Sequence, residues 1–142
     1  MDRTAISELL EERELVFYSN ANGCILVPFA PTADRVGFEV YVELFEESVL
    51  SVTAIVRDPR MGLESIQSFA SWWNRERRWP KAVVYDNTEE RAWTLALEGH
   101  LPIEQELPAT YVGHWLDTHM AAISACLRDF ELATKLGIGE VA

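Results

Sequence analysis

The sequence predicts an α+β domain: an antiparallel sheet of two hairpin groups with three helices, in the order α-β-β-β-β-α-β-β-α. Three observations lead there. Strand-like runs follow one another through short turns instead of alternating singly with helices, as a parallel sheet would require. Only three stretches carry helical periodicity. The last of these, beginning just after Pro108, is the longest element and can lie across a whole sheet.

Taken in order, residues 4–14 form a short first helix. Asp2 or Thr4 can cap it, Ile6, Leu9 and Leu10 make a narrow apolar stripe, and Glu8, Glu11, Glu12 and Glu14 face water. Carboxylates at its far end oppose the helix dipole, so docking must hold it. Leu15–Ser19 is a short β-like run, Asn20-Ala21-Asn22-Gly23 a hairpin-type turn, and Cys24–Ala30 a second strand in which Pro28 marks an edge or a bulge.

Pro31–Gly37 is a polar connection. Phe38–Phe45 and Val49–Arg57 then alternate, with Phe38, Val40, Val42 and Leu44 on one face and Leu50, Val52, Ala54 and Val56 answering them across the Glu46-Glu47-Ser48 turn. Asp58-Pro59-Arg60-Met61-Gly62 breaks this long hairpin. Leu63–Arg78 is the second helix, its stripe formed by Leu63, Ile66, Ala70 and Trp73 with Phe69 beside it. Pro80 disfavours the helical conformation at Trp79, so the helix ends near Arg78. Lys81–Tyr85 and Arg91–Glu98 make a second hairpin around residues 86–90, and Leu101–Leu107 reads as a loop. In the last helix Val112, Trp115, Leu116, His119, Ile123, Cys126, Leu127 and Phe130 share one face, and Gly137 and Gly139 end it.

The 142 residues fit one domain, with a 49% hydrophobic fraction sufficient for a core that needs neither disulfide nor metal. Cys24 and Cys126 read as small buried apolar residues of a reducing compartment. The N-terminus has no apolar run resembling a signal peptide, and no stretch reaches the length of a membrane span, so the expected location is cytoplasmic. A net charge of −11 argues against nucleic acid and anionic membranes as partners. Against that background Arg75, Arg77, Arg78 and Lys81, set against Glu76, make residues 75–81 a +3 island and leave −14 on the rest.

Motifs that carry chemistry are missing from the sequence. His114 and His119 lie five apart, about 140° around a helix, and so do not share a face. His119 on the apolar stripe reads as a satisfied core or edge histidine and His114 as a solvated one. No HExxH, CxxC or GxSxG pattern occurs, and Gly137-Ile138-Gly139 follows a helix where a dinucleotide loop would precede one. Glu39 with Glu43, Glu46 with Glu47 and Glu89 with Glu90 read as charges on a wet sheet face and at turns. Catalytic residues, cofactors and metals are therefore not expected.

What stands out is Ser71–Asp86, which holds three of the five tryptophans. Trp73 lies on the core stripe, and the Trp79-Pro80 stop joins the helix to the next strand. Arg77 falls on the apolar stripe too, where it must reach out from the sheet edge or pair with a buried carboxylate. Trp72, about 120° off the stripe, can join Arg75, Arg78 and Lys81 in a partly exposed patch. Trp and Arg are enriched at binding hot spots, and guanidinium groups suit carboxylates and phosphates.

Within this stretch Trp-Asn-Arg-Glu-Arg-Arg-Trp-Pro-Lys-Ala, residues 73–82, closely resembles the hallmark segment of the YbjN family, bacterial proteins loosely labelled sensory transduction regulators. The resemblance implies the α+β fold of the type III secretion chaperones, which are small acidic proteins that dimerise and bind extended segments of other proteins. It makes Trp73, Asn74, Arg77, Trp79 and Pro80 the structural motif. Ala70-Ser71-Trp72 departs from the more aliphatic or amide-rich run expected ahead of that segment. The functional expectation is a non-enzymatic, chaperone-like protein-binding domain that engages another protein and also itself. The alternative is a module that binds a small anion at Arg75, Arg78 and Lys81.

Overall fold

The computed structural model describes residues 1–33, 36–46, 48–57, 62–87, 92–103 and 106–136. The elements run α1 (Arg3–Glu12), β1 (Tyr18–Ser19), β2 (Ile25–Phe29), β3 (Phe38–Phe45), β4 (Val49–Val56), α2 (Leu63–Glu76), β5 (Lys81–Asn87), β6 (Ala92–Pro102) and α3 (Ala109–Leu136). The predicted order is the observed one. The strands form one antiparallel sheet in the order β1-β2-β3-β4-β6-β5. After β4 the chain crosses through α2 to the far edge, lays down β5, and returns as β6 between β5 and β4.

Register explains why one face is dry. Ile25, Val42, Val52 and Gly99 stand opposite one another along one row, and Val27, Val40, Ala54, Leu97 and Ala82 along the next. All of these residues are buried. The alternate rows, Leu26, Tyr41, Thr53, Glu98, Lys81 and Pro28, Glu39, Ile55, Ala96, Val83, point the other way. A period of two thus places one face of each strand against the helices and leaves the other wetter.

The 28-residue α3, about 42 Å long at 1.5 Å per residue, packs on the dry face with α1 and α2 beside it. Phe69 of α2 meets Phe130 of α3 edge-on at 5.4 Å. Asp2 caps α1 by accepting from the Ala5 N–H at 2.8 Å. The unfavourable far end of α1 is offset by Arg13, which donates to the Leu9 carbonyl and grips Asp117 of α3 through two nitrogens, at 2.6 and 3.0 Å. Gly23, at φ +87°, supplies the left-handed residue expected of the Asn-Gly turn.

Three expectations need correction. Residues 101–102 are not the start of a loop: β6 continues to Pro102, because β4 provides partners as far as Val49↔Pro102. β1 shrinks to two residues. Cys126 is fully buried, whereas Cys24 is only partly so. The expected breaks at residues 58–61 and 88–90, and the stop at Gly137 and Gly139, lie outside the described residues.

Candidate functional site

The segment that joins α2 to β5 is held by hydrogen bonds from three side chains. The Trp73 indole, 3% exposed, donates to the Pro80 carbonyl at 3.0 Å. Asn74 uses both ends of its amide on one residue: Oδ1 accepts from the Ala82 N–H and Nδ2 donates to the Ala82 carbonyl, each at 2.8 Å. The Trp79 indole donates to Nδ1 of His119, on α3, at 3.0 Å. Between them Arg77 and Arg78 both donate backbone N–H groups to the Trp73 carbonyl, and Arg78 turns the chain at φ +66°. The Trp79–Pro80 peptide is cis.

The sequence-level division of this stretch is partly redrawn. Trp73 lies in the core as expected. Among the described residues no buried carboxylate pairs with Arg77. The helix ends at Glu76, one residue before it, so its position on the helical stripe no longer determines its direction; it is exposed, and its guanidinium lies 5.6 Å from the Trp72 ring centroid. Trp72 is half-buried against Phe69 and Trp73, with ring centroids at 6.1 and 6.2 Å. The cation over Trp72 is therefore Arg77, while Arg75 leans on Glu76 at 3.2 Å. Arg78 and Lys81 are exposed and flank Trp79-Pro80 at the start of β5. A small anion would need Arg75, Arg78 and Lys81 together, and Arg75 already has its carboxylate.

Sequence reasoning placed His119 in the core but missed what it does there. It is fully buried and lies between two indoles, 5.1 Å from Trp115 and 5.7 Å from Trp79 by ring centroids. Nε2 lies 2.9 Å from the Val52 carbonyl. Burial pushes its pKa below the usual imidazole value; the bond to the Val52 carbonyl opposes that shift, and His100 adds a smaller push in the same direction as burial. The available signal was Trp115 and His119 one turn apart on a helix, with Gly99 in a strand-forming stretch to make room for a ring.

β5 is an edge strand, and its open side is the other feature of this region. Ala82 turns its N–H and C=O outward to Asn74, so by the alternation of antiparallel pairing Val84 and Asp86 also turn theirs outward. No described residue meets them. The opposite edge is blunted: β1 covers only Ser19↔Ile25 and Tyr18↔Leu26, and the strand behind it carries Pro28, which has no N–H.

Two polar clusters outside this region are closed by their own partners. Glu39 binds Arg57 at 2.6 Å and accepts from the Tyr41 hydroxyl at 2.8 Å, which holds its carboxyl below the usual range. Cys24 lies 3.4 Å from a Glu43 oxygen, and burial together with that carboxylate pushes its thiol up to about 11, the opposite of an activated nucleophile. Among the described residues no group of three His, Cys, Asp or Glu side chains could hold a metal ion, and no helix is long and apolar enough to cross a membrane.

No family profile matches the sequence, and no curated protein matches it. Among solved structures, the crystal structure of YbjN from E. coli is similar over 91% of this chain and 90% of that one, with a TM-score of 0.71 and 15% identity. The likeness is one of architecture: this chain has the YbjN-like α+β fold that residues 73–82 implied.

Proposed function

We propose that the chain is a non-enzymatic regulatory domain that acts by binding another protein, taking an extended segment of that partner along the free edge of β5. The observation that carries this reading is the outward backbone of Val84 and Asp86, which no described residue meets beyond the point where Asn74 closes Ala82. Such an edge pairs readily with an incoming strand. Arg78 and Lys81, exposed where the edge begins, favour a segment with carboxylates at the corresponding end. The YbjN-like fold supports a regulatory role at the level of analogy, since YbjN of E. coli is described as a candidate transcription regulator.

Short acidic peptides selected by display against the folded domain provide the test. Binding is expected to slow exchange of the Val84 and Asp86 amides. Val84→Pro removes an outward N–H without breaking the ladder to β6, so it should keep the fold and weaken peptide binding at least tenfold, about 1.4 kcal/mol. Equal affinity for a folded Val84→Pro domain, or protection centred on another element, would remove this reading.

A further inference from the structure

The stack of Trp79, His119 and Trp115 is not used by the binding edge and has a property of its own. An indole N–H can only donate, so His119 Nδ1 must be its acceptor. The single proton of the neutral imidazole then lies on Nε2, pointing at the Val52 carbonyl. Both nitrogens are occupied and the tautomer is determined. A second proton can go only to Nδ1, where it faces the indole N–H as donor against donor.

The ring has no room to escape. It lies against Gly99, where even a Cβ would collide with it, and Trp115 stacks on it at an interplanar angle of 14°. Trp79 is the exposed member, with 38% of its surface open, and it lies in a turn. It is the side that can yield. We propose that this contact is an acid-operated latch: protonation of His119 ejects the Trp79 indole and frees the α2–β5 turn from α3 while the domain stays folded. The bonds of Trp73 to Pro80 and of Asn74 to Ala82 do not involve His119 and keep β5 in place.

The Val52 carbonyl at Nε2 favours the imidazolium, but burial outweighs it and nothing answers a proton on Nδ1. β6 brings His100, whose charge opposes a proton on His119, and no carboxylate acts on the ring. β4 brings uncharged Ser51 and Thr53 on either side of Val52, and the turn brings Arg78 and Lys81 beside Trp79. On α3, His114 and Asp117 are the neighbouring titratable residues, and Asp117 is bound by Arg13 of α1. At the end of α2, Glu76 is engaged by Arg75, and Arg77 lies over Trp72.

Indole and imidazole resonances followed from pH 7.5 downward read the latch directly. The Trp79 indole N–H should shift, and its solvent exchange rise at least tenfold, in step with His119 titration. The Trp73 indole and the sheet amides should hold. His119→Gln offers an acceptor and a donor that do not titrate, so the step should vanish. A step that persists in His119→Gln, or a Trp79 that moves only when the sheet amides are lost, overturns the proposal. Should that variant not fold, Trp79→Phe decides: without the opposing indole donor His119 should take its proton at higher pH than in the wild type, and an unchanged or lower midpoint overturns the latch.

Discussion

Asn74 meets the backbone of Ala82 from both sides at 2.8 Å, so that a helix side chain stands where the next strand of the sheet would be. The amide reproduces the donor and acceptor of a peptide group, which no other residue at this position can do except glutamine at a different reach. It closes the sheet edge for one residue and fixes where α2 lies along β5. Helix end, turn and strand are thereby held in one geometry.

Asn74→Ala should leave Ala82 with two unmet backbone groups and cost about 2 kcal/mol. Denaturant unfolding measures the loss, and faster exchange of the Ala82 amide locates it. Asn74→Asp keeps the acceptor but sets an oxygen against the Ala82 carbonyl, so it should recover little of that loss.

Gly99→Ala should destabilise by about 3 kcal/mol, because a methyl at this position enters the volume of the buried His119 ring. His119→Ala in the same chain opens space for that methyl. The double variant should therefore be more stable than the sum of the two single losses, which a double-mutant cycle from thermal or chemical melts will show.

Arg78 holds a left-handed backbone at φ +66°, a conformation that costs a residue with a Cβ about 1 kcal/mol and a β-branched residue more. Arg78→Val should lower stability by about 1–2 kcal/mol, whereas Arg78→Gly should match or exceed the wild type. Equal losses in the two variants would show that the side chain matters here and the backbone does not.

His119 sets the first acid-sensitive window of stability. Its folded pKa lies below the ordinary imidazole value of about 6.5, so the unfolded chain binds the proton first. Stability is fully present above pH 6.5 and falls as pH drops from there toward the folded pKa, by at most about 1.4 kcal/mol per pH unit. Glu39, held down by the Tyr41 hydroxyl and Arg57, and Asp117, held down by Arg13, add a separate loss only below about pH 4, where ordinary carboxylates take up protons. Unfolding free energies at pH 7.5, 6.5 and 5.5 check this, and His119→Gln should flatten the curve over that range.

The Arg13–Asp117 bridge between α1 and α3 should contribute modestly. Its carboxylate side is 56% exposed, so water screens the pair despite the two-nitrogen geometry. A cycle with Arg13→Met and Asp117→Asn should give a coupling below about 1 kcal/mol, smaller still at high salt.

Much of this fold was legible in the chain itself, since hydrophobic period is a local property. Alternation marked β3 and β4, a helical stripe set Trp73 apart from Trp72, and Pro80 placed the end of α2 within two residues. The segment at residues 73–82 carried the YbjN likeness that the architecture bears out. What only the tertiary structure decided depends on partners distant in sequence. Nothing local shows that β6 lies inside and β5 at the edge, that β6 runs on through Leu101, or that Arg77 leaves the stripe for the Trp72 ring. The aromatic stack needs His119, Trp79 and Gly99 brought together from three elements, and the Asn74 amide needs the register of a strand it precedes. Periodicity specifies which face of each element is dry; only packing specifies which buried polar atom meets which.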